Sequence, residues 1–153
     1  MSNLKNIFQV LVLALIIVIF NGCFQQQTRL EMVIKTGPSL NKGYGEDLAP
    51  LMIDFYELKD ADRFSKLDYW SITDDGQKQL NNALVSQAKH IFLPNEKHTY
   101  KILFNDDSKV LGLVLNFKNA DATSNWKYIR NLKQNSHNYI ELFVDNNKIE
   151  EIK

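Results

Sequence analysis

The residues best placed for covalent chemistry close an apolar segment near the N-terminus. Lys5 precedes the apolar run 10–20, and Asn21-Gly22-Cys23 follows that run. Lipoprotein processing needs a small residue at the cleavage point and a thiol directly after it, because the thiol forms a thioether to a diacylglycerol. The pattern predicts cleavage between Gly22 and Cys23, so that Cys23 becomes the first mature residue and carries the lipid.

The apolar run itself is too short for a membrane span. A helix that crosses a ~30 Å hydrocarbon core needs about 20 apolar residues, and this run is shorter even with Ile7 and Phe8 added. A cleaved lipoprotein signal is favoured over an uncleaved anchor or a plain secretory signal. Two or three acyl chains, palmitate among them, would give stable attachment. Because Phe24 and not Asp follows Cys23, we expect outer-membrane delivery with the domain facing the periplasm.

The remaining reactive side chains do not form a catalytic or metal-binding pattern. His90, His98 and His137 lack metal-ligand spacing, and the chain has no GxSxG elbow or glycine-rich phosphate loop. The carboxylate pairs Asp74-Asp75 and Asp106-Asp107 lie where a helix cap or a turn needs short oxygen-bearing side chains. We therefore expect no enzyme, no metal and no cofactor apart from the covalent lipid on Cys23.

Composition limits the classes of partner. Lys plus Arg and Asp plus Glu both number 18, and removal of the signal takes away only Lys5, so the mature chain is almost neutral. A nucleic-acid-binding domain would carry a basic stripe. Cys23 is the only cysteine, which rules out an intramolecular disulfide. These facts favour one domain that is stabilised by its hydrophobic core and does not bind nucleic acid. We also expect no small-molecule substrate.

The elements that must position any binding residues are mostly strands. The chain divides into a signal peptide (1–22), a tether (23–28) and a domain (29–153). Alternation of apolar and polar residues, with turn residues between the runs, predicts an antiparallel two-sheet β-sandwich. Helix caps and spacing predict a helical insertion around residues 60–80 that packs its aromatic residues on a sheet, with Trp70 and Trp126 in or beside the core. The predicted strands are 29–35, 51–58, 83–93, 98–104, 110–117 (the central strand), 125–132, 139–144 and 148–152.

The predicted loop between the first two strands is long. Between the first two strands, residues 37–47 are rich in Gly, Asn and Asp and also contain Leu40 and Tyr44. Loops longer than about 12 residues without their own structure tend to be functional, and a Tyr between glycines can be presented to a partner at low entropic cost. The alternative is that Leu40 and Tyr44 fold back over the sandwich.

The order of several short segments resembles the TssJ lipoproteins of type VI secretion systems. The resemblance begins with the lipoprotein cleavage box and covers nearly the whole mature chain. The segments that carry it are Leu40-Asn41, Phe55-Tyr56-Glu57-Leu58-Lys59, Phe64, Asp68-Tyr69, Ile72, Leu93-Pro94, Val110-Leu111-Gly112-Leu113-Val114, Phe117 and Trp126.

This resemblance implies a transthyretin-like sandwich that is anchored in the outer membrane. It also implies binding to the periplasmic C-terminal region of TssM, an inner-membrane protein, and assembly of an envelope-spanning complex. By position, the family's binding loop falls on Leu40, Asn41, Lys42, Gly43, Tyr44, Gly45, Glu46 and Asp47. The family often has a Gly-Arg-Pro-like segment before the second strand, and this chain instead retains only Ala49-Pro50 there.

A second hypothesis is a lipoprotein that binds a small hydrophobic ligand. An apolar pocket of ~300 Å³ or more would favour this hypothesis, and a solid core would contradict it.

Overall fold

The computed structural model describes residues 26–43, 49–120 and 125–153. The predicted cleavage site at Gly22 and Cys23, the signal peptide and loop residues 44–47 lie outside the described residues. The strands are β1 (Arg29–Thr36), β2 (Leu51–Leu58), β3 (Leu84–Phe92), β4 (Lys97–Leu103), β5 (Val110–Leu115), β6 (Lys127–Asn131), β7 (His137–Asp145) and β8 (Lys148–Glu151). The helices are α1 (Asp62–Lys66) and α2 (Tyr69–Leu80), followed by a 3₁₀ turn at Asn81–Ala83.

The eight strands form two four-stranded sheets. Sheet A has the order β4-β1-β7-β8 and sheet B the order β3-β2-β5-β6. This confirms the predicted two-sheet sandwich with one exception, because β1 and β7 pair in parallel. Strand β7 begins at the same end of the sandwich as β1, since the Arg29 amide donates to the Ser136 carbonyl at 3.0 Å. The chain enters β7 from that end, so the two neighbours run in the same direction.

Alternating side chains of β1 and β2 place the core between the sheets. Leu30, Met32 and Ile34 are buried in the main core, as the period of two predicts. Strand β2 contributes to two clusters: Ile53 belongs to the main core, whereas Tyr56 belongs to a second core beneath the helices. An interior strand covered on both faces carries apolar residues on both, which explains the two-sided pattern of β2.

The helical insertion covers the outer face of sheet B. The Asp68 side chain accepts a hydrogen bond from the Ser71 amide at 2.8 Å and caps α2. Ile72, Gly76 and Leu80 form the buried stripe of α2, and Phe64 of α1 is fully buried. No helix in the described ranges is long and apolar enough to cross a membrane.

The sandwich has two distinct ends. At the end where β1 starts, Thr28 is buried, accepting from the Phe104 amide through its carbonyl and from the Asn135 amide through its hydroxyl, both at 2.9 Å. The Gln27 side-chain amide donates to the Phe104 carbonyl at 3.0 Å. Gln27 and Thr28 are therefore fixed to the domain, which corrects the predicted 23–28 tether at its C-terminal end. We call this the tether end.

Candidate partner-binding surface

The opposite end of the sandwich is built from four connecting segments. These are the β1–β2 loop (described at 37–43 and 49–50), the β3–β4 turn (93–96), the start of the β5–β6 connection (116–120) and the β7–β8 turn (145–148). Hydrogen bonds join neighbouring segments: the Gly37 amide donates to the Val144 carbonyl at 2.9 Å, and the Asn95 amide donates to the Gly37 carbonyl at 3.4 Å. We call this end the loop face.

Leu40 is not available to a partner. Its side chain is 0% exposed and belongs to the main core. The prediction of Leu40 as a contact residue is therefore corrected, and for this residue the alternative of folding back over the sandwich applies. A leucine in this position stabilises the base of the loop, because burial removes its apolar surface from water.

Asn41 also has a positioning role. Its backbone is left-handed at φ 50°, a conformation that Asn tolerates better than most residues, and its side chain is buried. The side-chain nitrogen donates to the Pro50 carbonyl at 2.7 Å, and the side-chain oxygen accepts from the Lys118 amide at 2.7 Å. Asn41 thus holds both ends of the β1–β2 loop together and attaches them to the β5–β6 connection.

The start of the loop is fixed by Asp145. A side chain at Gly37 would begin 2.3 Å from the Asp145 carboxyl carbon, so only glycine fits there. The Asp145 carboxylate accepts from the Ser39 amide at 2.8 Å, and the Ser39 carbonyl accepts from the Asn146 amide at 3.3 Å. Replacement of Gly37 would separate the loop from the β7–β8 turn.

Two of the predicted contact residues do reach the surface. Lys42 is exposed and Gly43 is partly exposed. The Lys42 carbonyl accepts from the side-chain amides of Asn147 at 3.2 Å and Asn119 at 3.4 Å. The Lys42 backbone is held while its side chain faces solvent. Tyr44, Gly45, Glu46 and Asp47 follow directly and lie outside the described residues.

The β3–β4 turn lies beside the loop. The Thr36 hydroxyl donates to the Leu93 carbonyl at 2.6 Å and accepts from the Glu96 amide at 2.8 Å. Hydrogen bonds from the Leu93 amide and then from the His98 ring hold the pKa of Glu96 below its usual range. Leu93 itself is 49% exposed, which adds an apolar side chain to the loop face.

Trp70 is an exposed residue that the sequence analysis placed in or beside the core. It is 68% exposed on α2, and its ring packs edge-on against Tyr69, which in turn packs edge-on against Trp126. Helical spacing could have indicated that Trp70 is exposed. The buried positions of α2 are Ile72, Gly76 and Leu80, and residue 70 falls outside that stripe.

The candidate acids and bases lie in different parts of the sandwich, except that His90 and His98 are neighbours. His137 is exposed at the tether end, while the rings of His90 and His98 lie 4.9 Å apart at the side of the sandwich. Asp75 forms an ion pair with Lys78 in α2, and Asp107 with Lys59 beyond β2. Within the described ranges, no group of three His, Cys, Asp or Glu residues could hold a metal ion.

Two cavities bear on the hydrophobic-ligand hypothesis. The larger, about 340 Å³, lies between α2 and sheet B. It is polar, with the buried Asp54 carboxylate 3.1 Å from the Lys89 ammonium and 2.8 Å from the Asn116 side-chain amide. The apolar one, about 240 Å³, lies between β3 and β4 and is smaller than the volume expected of such a carrier.

Comparison of the chain with known protein families gives a match to one family. The profile of the family described as type VI secretion lipoproteins, with the names VasD, EvfM and TssJ, matches residues 28–147. A search of curated protein sequences found no significant match.

Solved structures share the fold. The T6SS lipoprotein TssJ1 from Pseudomonas aeruginosa superposes with a TM-score of 0.78 at 24% identity, over 82% of this chain and 95% of that chain. Lip from Serratia marcescens, a membrane-bound component of the type VI secretion system, gives a TM-score of 0.72 at 17% identity, over 83% and 97%. A chain in the structure described as the T6SS protein TssM C-terminal domain from EAEC gives 0.68 at 18% identity, over 82% and 98%.

Proposed function

Because the chain belongs to the type VI secretion lipoprotein family, we propose that it anchors a secretion complex to the outer membrane through a lipid on Cys23. In this proposal the loop face binds the periplasmic C-terminal region of the inner-membrane protein TssM. The role is structural and needs no catalytic group. One of the solved structures with this fold carries the description TssM C-terminal domain, and this supports the choice of TssM as the partner.

The observation that carries the proposal is the position of the loop relative to the tether. Gln27 and Thr28 lie at one end of the sandwich, and the β1–β2 loop begins at the other. Strand β1 has eight residues, which at ~3.3 Å each separates the two ends by about 26 Å. A domain held to a membrane through residues before Gln27 would direct its loop face away from that membrane.

The rigid base of the loop also supports a binding role. Leu40 and Asn41 are buried, and the Lys42 backbone is held by two asparagine side chains. A preorganised loop loses less conformational entropy when a partner binds. The contacts themselves would then come from Lys42, from residues 44–47 and from exposed neighbours such as Leu93.

The test replaces surface residues and leaves the core intact. We expect Lys42→Glu with Tyr44→Ala to weaken binding of the purified TssM periplasmic region at least tenfold, measured by calorimetry, with an unchanged melting temperature. A few residues dominate the binding energy of an interface, each costing about 2 kcal/mol or more on truncation, and Tyr is enriched among them. Leu40→Ala is unsuitable, because the loss of a buried leucine destabilises the domain itself.

Lys133→Glu is the matched control. Lys133 is exposed at the tether end, so the same charge reversal there should leave the affinity unchanged. If the folded double variant binds TssM as tightly as the wild type does, the loop face is not the binding surface.

A further inference from the structure

The short tether keeps one end of the domain close to the proposed lipid. Gln27 is the first residue fixed to the domain, so only residues 24–26 lie between it and Cys23. An extended chain spans at most about 3.6 Å per residue, which limits the distance from Cys23 to Gln27 to roughly 14 Å. The headgroup layer of a bilayer is itself about 5–8 Å thick. If Cys23 carries the lipid, the tether end of the domain must therefore lie at or near the headgroups.

The residues beside the exit of the tether form a basic rim on sheet A. Leu103, which is 64% exposed, directly precedes the residue that binds Gln27 and Thr28, and it lies in register with Arg29. Arg29 is in register with His137 on its other side. Lys101 shares the outer face with Leu103, because side chains alternate along β4. We give the name basic rim to five residues with exposed side chains, Arg29, Lys101, Leu103, Lys133 and His137.

Asn138 holds Lys133 next to this row. Its buried side-chain amide donates to the carbonyls of Arg29 at 3.1 Å and Lys133 at 3.0 Å, and its oxygen accepts from the Lys133 amide at 2.8 Å. The β6–β7 turn is thus fixed to the start of β1. Arg29, Lys101 and Lys133 give the rim three positive charges, and the acidic neighbour Glu31 is partly buried in register with Lys101. The basic rim therefore keeps a net positive charge.

The half of the tether end next to sheet B has the opposite balance. Asp60 follows β2, and Asp106 and Asp107 lie in the β4–β5 turn. Asp107 pairs with Lys59 at 3.2 Å, which places this turn against the end of β2. The exposed ionisable residues of this half are four acids and three bases, namely Lys59, Asp60, Asp62, Arg63, Asp106, Asp107 and Lys109. An anionic surface would attract the basic rim and not this acidic half.

Weak charge contacts are enough to orient a tethered domain. Each basic side chain near an anionic phospholipid surface favours the contact by about fivefold. The anchor makes the contact intramolecular, so that this preference acts at a high effective concentration. The exposed Leu103 side chain adds to it, because apolar side chains can be buried among headgroups.

We propose that the basic rim lies on anionic phospholipid headgroups beside the anchor and so fixes the tilt of the domain on the membrane. This inference rests on the proposed anchor at Cys23 and does not depend on the proposed binding of TssM. The basic rim lies at the end of the sandwich opposite the loop face. Contact with the membrane and binding of TssM can therefore fail separately.

The experiment couples the mature chain, residues 23–153, through Cys23 to a maleimide lipid in nanodiscs. Cys23 is the only cysteine, so coupling occurs at one position whether or not cells attach a lipid there. Both hydrophobic cores lie within residues 30–149, so the mature chain retains them. The nanodiscs contain phosphatidylcholine with or without phosphatidylglycerol, and a gadolinium-chelating lipid that broadens nearby amides in ¹H–¹⁵N spectra.

The readout is the broadening of rim amides relative to amides of the acidic half. With phosphatidylglycerol present, we expect the amides of Leu103, Arg29 and His137 to be broadened several-fold more than those of Asp60 and Asp106. Without phosphatidylglycerol this ratio should fall several-fold, and high salt should lower it in the same way, because screening weakens the attraction. The comparison between lipids removes any difference that comes only from the position of the tether.

Two double variants complete the test. Lys101→Gln with Lys133→Gln should weaken the contact about 25-fold, so that the ratio falls to its value in phosphatidylcholine. Lys97→Gln with Lys148→Gln removes two exposed lysines at the other end of sheet A and should keep the wild-type ratio.

The proposal is overturned if phosphatidylglycerol leaves the ratio unchanged, or if the variant of Lys101 and Lys133 keeps the wild-type ratio. Failure of the anchor is read from a different measurement. Cells that attach no palmitate to Cys23 would refute the anchor and with it the cellular setting of this contact.

Discussion

Glu57 illustrates how a single side chain holds several segments of this domain together. Its carboxylate accepts hydrogen bonds from the hydroxyls of Ser86 and Ser108 and from the backbone and side-chain amides of Asn105. These residues belong to β3 and to the β4–β5 turn. Partial burial raises the pKa of Glu57, but the hydrogen bonds from Ser108, Ser86 and Asn105 outweigh it and lower the pKa below 4.5.

This shift predicts a pH dependence of stability. Since the folded pKa is depressed, the carboxylate stabilises the fold above about pH 4.5 and this contribution is lost as the pH falls through the folded value. We expect Glu57→Gln to lower the free energy of unfolding at pH 7 and to differ less from the wild type at pH 3. Urea unfolding at the two pH values measures this difference. Glu150→Gln, at an exposed position in β8, is the control. An equal difference at both pH values would contradict the assignment to Glu57.

The packing of α1 on sheet B depends on a glycine in β5. A side chain at Gly112 would begin 2.6 Å from the ring of Phe64, closer than real contacts allow. The missing side chain lets the fully buried Phe64 ring lie directly on the sheet. In addition, the Lys127 ammonium donates to the carbonyls of Phe64, Ser65 and Leu67 and so satisfies the C-terminal end of α1.

We therefore expect Gly112→Ala to destabilise the domain by about 1–3 kcal/mol, the usual cost of overpacking a core. Chemical denaturation measures the loss. Phe64→Leu in the same chain should recover part of it, because the smaller side chain leaves room for the added methyl group. Gly43→Ala is the matched control, since its nearest contact would be an ordinary 3.7 Å from Lys118. A fully stable Gly112→Ala variant would show that α1 does not pack on β5 in this way.

The molecule as a whole has a tether end and a loop face, and the proposed anchor depends on Cys23. The proposal requires that lipid enters at the tether end, because Gln27 and Thr28 are the first residues fixed to the domain. The same two-ended arrangement places Lys42 at the end of β1 opposite the tether end.

Replacement of the thiol tests the anchor. Cys23→Ser cannot form the thioether, so we expect it to incorporate no radiolabelled palmitate and to disappear from the outer-membrane fraction. Phe24→Asp should keep the lipid and shift the protein to the inner-membrane fraction, which separates lipidation from sorting. Labelling of Cys23→Ser at the wild-type level would disprove lipidation at Cys23.

The amino-acid sequence alone determined the local elements and the family. Alternation of side chains located β1 and β2 almost to the residue. The resemblance to TssJ lipoproteins, which rests on the order of short segments, is confirmed by the family match over residues 28–147. These features are local or linear in the chain and can therefore be recognised without its fold.

Only the tertiary structure decided which faces are covered. Strand β1 pairs with β7 in parallel, Leu40 is buried, Trp70 is exposed and an apolar cleft remains between β3 and β4. A period of two or of 3.6 identifies the residues that share one face of an element, but not the element that packs against that face. Burial of Leu40 depends on strands far along the chain from it.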